Sequence, residues 1–355
     1  PPAGKKRWLN HHIEIRLLIE SSLMTDPNIV QVALPVPLPH LFDYLVPDEC
    51  AAAMPGNRVL LPFGRRKRVG VVIGHADRTD VAQGKLLEIL EVLDEGQPLL
   101  DPKLIDLLRW SWNYYKHAPG EVVASALPPA LRKAKGVLPG PPSSFSLTSA
   151  GRERLSESAG RAPVQLAMLA ALDAGPLDEG GLRGIGSQWR KTLAAVMERG
   201  WVVQQVAPPA EPRFAAGPKL VPDQQNAVDK ISGSLDRFGC HLLDGVTGSG
   251  KTEVYMSLME QVIASGRQAL VLVPEIGLTP QLLRRFRSRL GLDPAVIHSG
   301  LSAGGRLDSW YAAWSGRASL VVGTRSALFT PLPRPGIIIL DEEHDASFKQ
   351  QDGFR

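Results

Sequence analysis

The chain has 355 residues, 44% hydrophobic and 21% charged, enough for two or three domains each with its own core. A formal net charge of +4 suits a nucleic-acid partner without demanding one, and it excludes a histone-like arm. Cys50 and Cys240 are too few and too far apart for a disulfide framework or a C-x-x-C zinc pair, and no apolar run reaches membrane-spanning length, so a cytoplasmic protein with no membrane partner is expected.

At the N-terminus, Lys5, Lys6 and Arg7 precede an apolar run, Ile15–Ile19, that Arg16 interrupts. A signal peptide needs a longer uncharged core and a small-residue cleavage site. Met24, followed by Thr25-Asp26-Pro27 and a strand, reads as the natural start, and residues 1–26 as a disordered extension. Residues 27–132 then form the first expected domain. Ile29–Leu34, Phe42–Pro47, Asn57–Pro62 and Arg68–Ile73 are short strands at close spacing, as in a small β-barrel or sandwich. Leu104–Tyr115 has apolar residues at three- and four-residue steps and predicts a helix.

Residues 133–143 are a Pro/Gly-rich linker. From 143 to 206 the sequence predicts helices over Leu147–Leu155, Val164–Leu172, Leu177–Arg183 and Ser187–Arg199, then a strand at Trp201–Val203. The last three helices and a following wing make the pattern of a winged helix, with Ser187–Arg199 as recognition helix and Arg190 and Lys191 placed for a duplex. Winged helices also serve as protein interfaces. After a second Pro/Gly-rich join, residues 207–355 alternate helices with continuous apolar runs at Ala269–Pro274, Ala295–His298, Leu320–Gly323 and Ile337–Leu340. Such runs are expected of parallel strands buried on both faces, in a doubly wound α/β domain.

Gly245-Val246-Thr247-Gly248-Ser249-Gly250-Lys251-Thr252 fits the phosphate-binding loop, between the apolar run Cys240–Leu243 and a helix-like segment. Gly245, Gly248 and Gly250 let the backbone wrap phosphates, Lys251 reaches the β/γ-phosphates, and the Thr252 hydroxyl holds Mg²⁺. Asp341-Glu342-Glu343-His344 follows a buried apolar strand. Asp341 is the natural second partner of Mg²⁺, and Glu342 is placed to polarise an attacking water as general base. ATP and Mg²⁺ are the expected ligands.

The D-E-E-H letters with the loop resemble superfamily 2 helicases. That resemblance makes Gln224 an adenine reader, Pro274–Thr279 a motif Ia, and Gly323-Thr324-Arg325-Ser326-Ala327 a contact to the DNA backbone. Taken singly these signals are weak: Thr279 is also a good helix cap. Gly245–Tyr255 together with Asp341–Arg355 is similar to the PriA family of bacterial replication-restart helicases. Val32–Pro39, Phe42-Asp43-Tyr44 and Val59–Gly64 resemble that family's N-terminal domain, and the likeness spans roughly residues 28–355.

The resemblance implies several roles. Phe42, Asp43 and Gly64 would form a pocket for the 3′ end of a nascent strand, and Lys85 lies near a family lysine without aligning cleanly. Phe348, Lys349, Phe354 and Arg355 would belong to an aromatic-rich loop coupling single-stranded DNA to ATP hydrolysis. Forked DNA, primosome proteins and single-strand-binding protein would be partners. The family's second RecA-like lobe and zinc-binding cysteine cluster have no counterpart in these residues, which implies a chain truncated after lobe 1, inactive on its own as an ATPase. The expected fold is multidomain: a small β-rich DNA-binding domain, a winged helix and a RecA-like lobe with a parallel sheet. Rival readings are another D-E-x-H translocase and a non-catalytic fork-binding module. Arg65–Arg68 reads as a phosphate grip or a charged hairpin tip, and Arg284, Arg285, Arg287 and Arg289 as the solvated face of a helix.

Overall fold

The computed structural model describes residues 28–50, 53–82, 84–157, 163–246, 248–274 and 277–348. The expected extension at 1–26, and the expected DNA contacts Lys349 and Phe354, lie outside them. The chain divides into two compact units, one of residues up to Leu138 with those from Glu211 onward, the other Pro139–Ala210.

In the first unit, β1 (Ile29–Ala33), β2 (Phe42–Leu45), β3 (Arg58–Phe63), β4 (Arg66–Ala76) and β5 (Glu91–Val92) make an antiparallel sheet in the order β2-β1-β4-β3-β5. The stretch ahead of β5 bonds to both β2 and β3. Leu45 N–H donates to Leu87 O (2.9 Å), Ile89 N–H to Leu45 O (2.9 Å) and Leu90 N–H to Leu60 O (2.8 Å). These bonds close the sheet into a small barrel and remove its free edges. Val30, Val32, Tyr44, Val59, Leu61 and Val72 fill the interior. On β4, Val69–Ile73 are buried without interruption because both faces are covered. Val72 faces the barrel, whereas Val71 and Ile73 meet α1 (Pro102–Tyr114) and α2 (Pro119–Ser125). Asp101 caps α1 by accepting from Leu104 N–H (3.1 Å), with Pro102 in the first turn.

The smaller unit contains β6 (Ser143–Leu147), α3 (Ser149–Ser156), α4 (Pro163–Asp173), β7 (Leu177–Asp178), α5 (Glu179–Arg183), α6 (Trp189–Glu198) and β8 (Val202–Val206), with an antiparallel sheet β7-β6-β8. Leu147, read as a helix start, ends strand β6, because Thr148 caps α3 by accepting from Gly151 N–H (3.1 Å). The strand after α6 pairs with β6 from the start of the unit, so the sheet is assembled from both ends of the segment. Arg190 stacks over Trp189 at 4.5 Å and meets Glu179 at 3.5 Å.

From α7 (Pro222–Ser232) and α8 (Lys251–Ala264) onward the first unit is α/β. β9 (Gln268–Leu272), α9 (Pro280–Leu290), β10 (Ala295–Ile297), α10 (Ala303–Trp314), β11 (Leu320–Gly323) and β12 (Pro335–Leu340) follow, with a parallel sheet in the order β10-β11-β9-β12. Ala269 and Val271 of β9 pack on Met256, Met259 and Phe286, while Leu270 and Leu272 pack on Ile297, Ala313 and Val321. Both faces of β9 are therefore covered, as its continuous apolar run requires, whereas on β12 Ile338 and Leu340 are half exposed, so the Ile337–Leu340 run is not buried on both faces as expected. This is the architecture of a RecA-like lobe. Trp310 on α10 belongs to the same buried cluster as Leu108, Val122 and Leu131, and its indole N–H donates to Ala126 O (2.8 Å), so the barrel's helices and the lobe share one core.

Two expectations change here. Cys240–Leu243 forms no strand: Leu242 is 88% exposed, and His241 Nε2 lies 2.8 Å from Ser234 Oγ, tying the run to the end of α7 rather than to β12. The arginines of α9 form a solvated face only in part: Arg284, Arg285 and Arg287 are exposed, the last two pairing at the surface with Glu253 and Asp293 (2.5 Å), whereas Arg289 is largely buried against Glu260 (2.8 Å). No helix among the described residues is long and apolar enough to cross a membrane.

Candidate nucleotide site and nucleic-acid interface

The loop before α8 turns on two glycines in the left-handed region, Gly248 (φ +83°) and Gly250 (φ +82°), a conformation that side chains with a Cβ resist. Gly250 is the N-cap of α8, so the loop leads straight into a helix N-terminus, where unpaired N–H groups and the dipole favour an anion. Lys251 Nζ donates to Gly245 O (2.5 Å) and reaches Val246 O at 3.5 Å, holding the ammonium within the loop it serves. Gln224 braces the loop from α7. Its Oε1 accepts from Val221 N–H (3.1 Å) and its Nε2 donates to Ser249 O (2.9 Å). Thr247 and the motif Ia residues Glu275 and Ile276 lie outside the described residues.

Asp341 follows directly on β12, its N–H donating to Leu272 O (2.9 Å). Tyr255, one turn into α8, joins it to the loop. The phenol oxygen lies 3.1 Å from Thr252 Oγ1 and 3.0 Å from Asp341 Oδ2. Burial pushes the Tyr255 phenol well above its ordinary range; the Thr252 hydrogen bond works against this, and the Asp341 charge adds to it. The phenol thus keeps its proton and donates it to the carboxylate. Thr252 Oγ1 and Asp341 Oδ2 converge on one atom, and a hydroxyl with a carboxylate is the hard-oxygen set that suits Mg²⁺ completed by water and phosphate. Glu342 sits at φ +52°, an unusual backbone for glutamate, with Oε2 3.4 Å from His344 Nε2; both side chains are exposed. Among the described residues no three His, Cys, Asp or Glu side chains cluster as a metal site.

At the ends of β10 and β11 a cleft of about 440 Å³ is lined by Leu278, Pro280, Leu283, Val296, His298 and Thr324. Gly323 is required there, since a Cβ would meet Ile297 O at 2.4 Å. Arg325 Nη1 is buried with no hydrogen-bond partner among the described residues. Thr279 Oγ1 caps α9 by accepting from Leu282 N–H (3.2 Å). Phe348 packs against the Leu270, Ile297 and Ala327 cluster of the lobe.

On the barrel, Phe42 meets Phe63 edge-on (5.4 Å) and His40 (4.7 Å), half-buried against the barrel core. Asp43 projects from the other face of β2, where its Oδ2 accepts from Thr79 Oγ1 (2.7 Å). Gly64, at φ +59°, follows Phe63 with open space where a Cβ would stand. Lys85 is exposed in the turn before β5. Phe42, Phe63 and Gly64 are thus gathered, with Asp43 one residue away across the strand.

Two family matches cover these regions: the 3'DNA-binding domain (3'BD) of PriA over residues 31–128 and the DEAD/DEAH box helicase over residues 221–355. The replication restart protein PriA of Haemophilus influenzae is 41% identical over 92% of this chain and 46% of its own length. Those of Chlamydia pneumoniae and Treponema pallidum are each 32% identical, over 88% and 90% of this chain and 43% and 39% of their own length. The chain belongs to the PriA family. It spans less than half the length of these curated relatives. Their shared domains make it a member of a DNA-binding replication-restart family with a helicase domain.

Tyr255 was not singled out by sequence reasoning. In a helix rich in apolar residues it reads as core, and only its distance to Asp341, 86 positions away in the chain, gives it a place in the site. Its position three residues after Thr252, on the same helix face, was the available signal.

Proposed function

We propose that this chain is the fork-recognising and ATP-binding part of an ATP-dependent 3′→5′ DNA helicase that starts primosome assembly at stalled replication forks. The observation that carries the nucleotide half of this reading is the convergence of Thr252 and Asp341, beside a loop in which Gly248 and Gly250 take left-handed backbone. The N–H groups around Gly245, Gly248 and Gly250 would take the phosphates, Lys251 would leave the loop carbonyls for phosphate oxygens, and Gln224 would face the base. Thr252 and Asp341 would hold Mg²⁺, which supplies charge neutralisation on the phosphates. Glu342 would act on water after leaving His344.

DNA recognition falls to the barrel and to the ends of β10 and β11. Phe42 and Phe63 offer ring surface to a terminal base, and Asp43 would exchange Thr79 for a 3′-hydroxyl donor, the same carboxylate repelling a 3′-phosphate. Arg325 and the backbone at Thr324 would meet a strand's phosphates, with Phe348, Lys349 and Phe354 completing a single-strand path. Residues 143–206 act as a winged helix on a duplex arm. Residues 27–132, 143–206 and 207–355 are the working domains, in a cytoplasmic protein whose partners include primosome proteins and single-strand-binding protein. Turnover would draw on a second RecA-like lobe with an arginine directed at the transition state.

Calorimetric titration with Mg-ATP tests the nucleotide half. Lys251→Ala is expected to weaken binding at least tenfold, the scale of about 1.4 kcal/mol or more for a charge-assisted contact. Equal affinity in the two proteins would remove the loop from nucleotide binding.

A further inference from the structure

Arg58 is a cation inside the barrel wall. Its side chain is 1% exposed, and it pairs through Nε and Nη2 with Asp94, each bond 2.6 Å. The guanidinium also donates to Leu131 O (2.5 Å) and Gly136 O (2.8 Å), so it fastens both ends of the 131–136 segment to β3. Arg132, within that segment, donates from Nε and Nη2 to Leu127 O (2.9 and 2.8 Å). The result is a fixed wall facing the β3–β4 hairpin.

Between wall and hairpin lies a cleft of about 270 Å³ lined by Arg66, Lys67, Arg68, Arg132 and Lys133, with Pro35, Val69 and Ala134 as its apolar remainder. Five cations in one small cleft repel one another and suit an anionic occupant. Arg66, Lys67 and Lys133 are exposed and form no ion pair among the described residues. Arg68 Nε is buried with no hydrogen-bond partner there, and its guanidinium stands 5.7 Å over the Phe63 ring. Phe63 in turn touches Phe42, so the cleft continues directly from the aromatic pair on the barrel.

We propose that this cleft seats the phosphodiester backbone of DNA, gripping it without reading sequence and independently of how the strand ends. The hairpin side of the cleft lies within the residues that match a DNA-binding domain, 31–128, which favours a nucleic acid over an acidic protein. The cations stand on two elements held apart by the Arg58 clamp, so the seat exists before DNA arrives. It extends the proposed 3′-end site without depending on it, because phosphate contacts position a duplex whatever its terminus.

Fluorescence anisotropy with the full chain and a labelled fork, across a potassium chloride series, tests the cleft. Each phosphate contact contributes about 0.9 to the slope of log affinity against log salt on B-DNA. Arg66→Gln, Lys67→Gln and Lys133→Gln should each flatten that slope by about one unit, and each should weaken binding roughly five- to tenfold at about 0.1 M salt. The loss should be the same factor for forks ending in a 3′-hydroxyl and in a 3′-phosphate. Arg66→Lys keeps the charge and should keep the slope, which separates charge loss from misfolding. An unchanged slope in all three glutamine variants overturns the proposal. So does a loss confined to 3′-hydroxyl forks, which assigns these residues to the end pocket. Loss of poly-glutamate binding with DNA binding intact also overturns it, and would mark an acidic protein as the occupant. Failure of the 3′-end reading looks different: wild-type chain would bind both fork ends alike while the three variants still flattened the slope.

Discussion

Asp94→Ala is the most informative single change in the barrel, because it leaves the Arg58 guanidinium buried without its counter-charge. Both side chains are almost fully buried, at 1% and 2% exposure, and two 2.6 Å bonds join them. Removing one partner of such a pair costs about 3–5 kcal/mol, since the remaining charge has neither water nor carboxylate. Asp94 also sits at φ +56°, so alanine there adds about 1 kcal/mol of backbone strain that glycine avoids. Asp94→Gly should therefore be less damaging than Asp94→Ala, an order opposite to that of an ordinary surface site. Hydrogen exchange is the appropriate assay, because a chain of two units has no single unfolding free energy. A cost of about 3 kcal/mol corresponds to exchange at least about a hundredfold faster in peptides covering Arg58 and residues 131–136. An effect of Asp94→Ala below about 1 kcal/mol, or glycine worse than alanine, would refute the clamp.

Burial raises the phenol groups of Tyr44 and Tyr255 above the ordinary value of 10.0. In the unfolded chain both titrate near 10, so above that pH the folded state holds the extra protons and stability falls as pH rises towards the folded values. Tyr44→Phe and Tyr255→Phe should each remove from the 295 nm titration a component lying above the ordinary tyrosine range, and removal of a component at the ordinary value would contradict it. Trp310→Ala removes the indole shared by the barrel helices and the lobe, together with its bond to Ala126 O, and should cost about 3–5 kcal/mol. Proteolysis of the native chain should then release the barrel region faster; an unchanged rate would show that Trp310 does not hold the two together. Gly250→Ala places a Cβ 2.3 Å from Gln224 Nε2 at a left-handed position, and should weaken Mg-ATP binding about tenfold. Undiminished affinity in calorimetry would exclude the Gln224 brace from the site.

What the sequence showed plainly were features with local signatures. Ala269–Leu272 and Leu320–Gly323 are buried on both faces and read as uninterrupted apolar runs. Gly248 and Gly250 occupy the left-handed positions that the phosphate-loop spacing demands. Features set by distant partners were harder to see. Ser143–Leu147 hides a strand because Ser143 closes the linker, Leu147 reads as a helix start, and the pairing with β8 lies some sixty positions away. Cys240–Leu243 reads as a strand, yet four residues hold only a short ladder, and Ser234 holds His241 instead. Arg289 looks solvated until Glu260 comes beside it, whereas Arg285 and Arg287 stay exposed even with Glu253 and Asp293 as partners. The barrel clamp joins Arg58 to Asp94, Leu131 and Gly136, residues that no periodicity connects.

In the proposed function the barrel domain captures a free 3′ end at forked DNA. The most direct test is anisotropy of the chain on two forks that differ only in the leading-strand terminus, a 3′-hydroxyl against a 3′-phosphate, with Asp43→Ala measured on both. The account predicts tighter binding of the hydroxyl fork by wild type, by about tenfold for one charge-assisted hydrogen bond gained or one like-charge contact avoided. It also predicts loss of that preference in Asp43→Ala, with the phosphate fork bound no more weakly than before. Equal binding of the two forks by wild type, or a preference that survives the loss of Asp43, would contradict it.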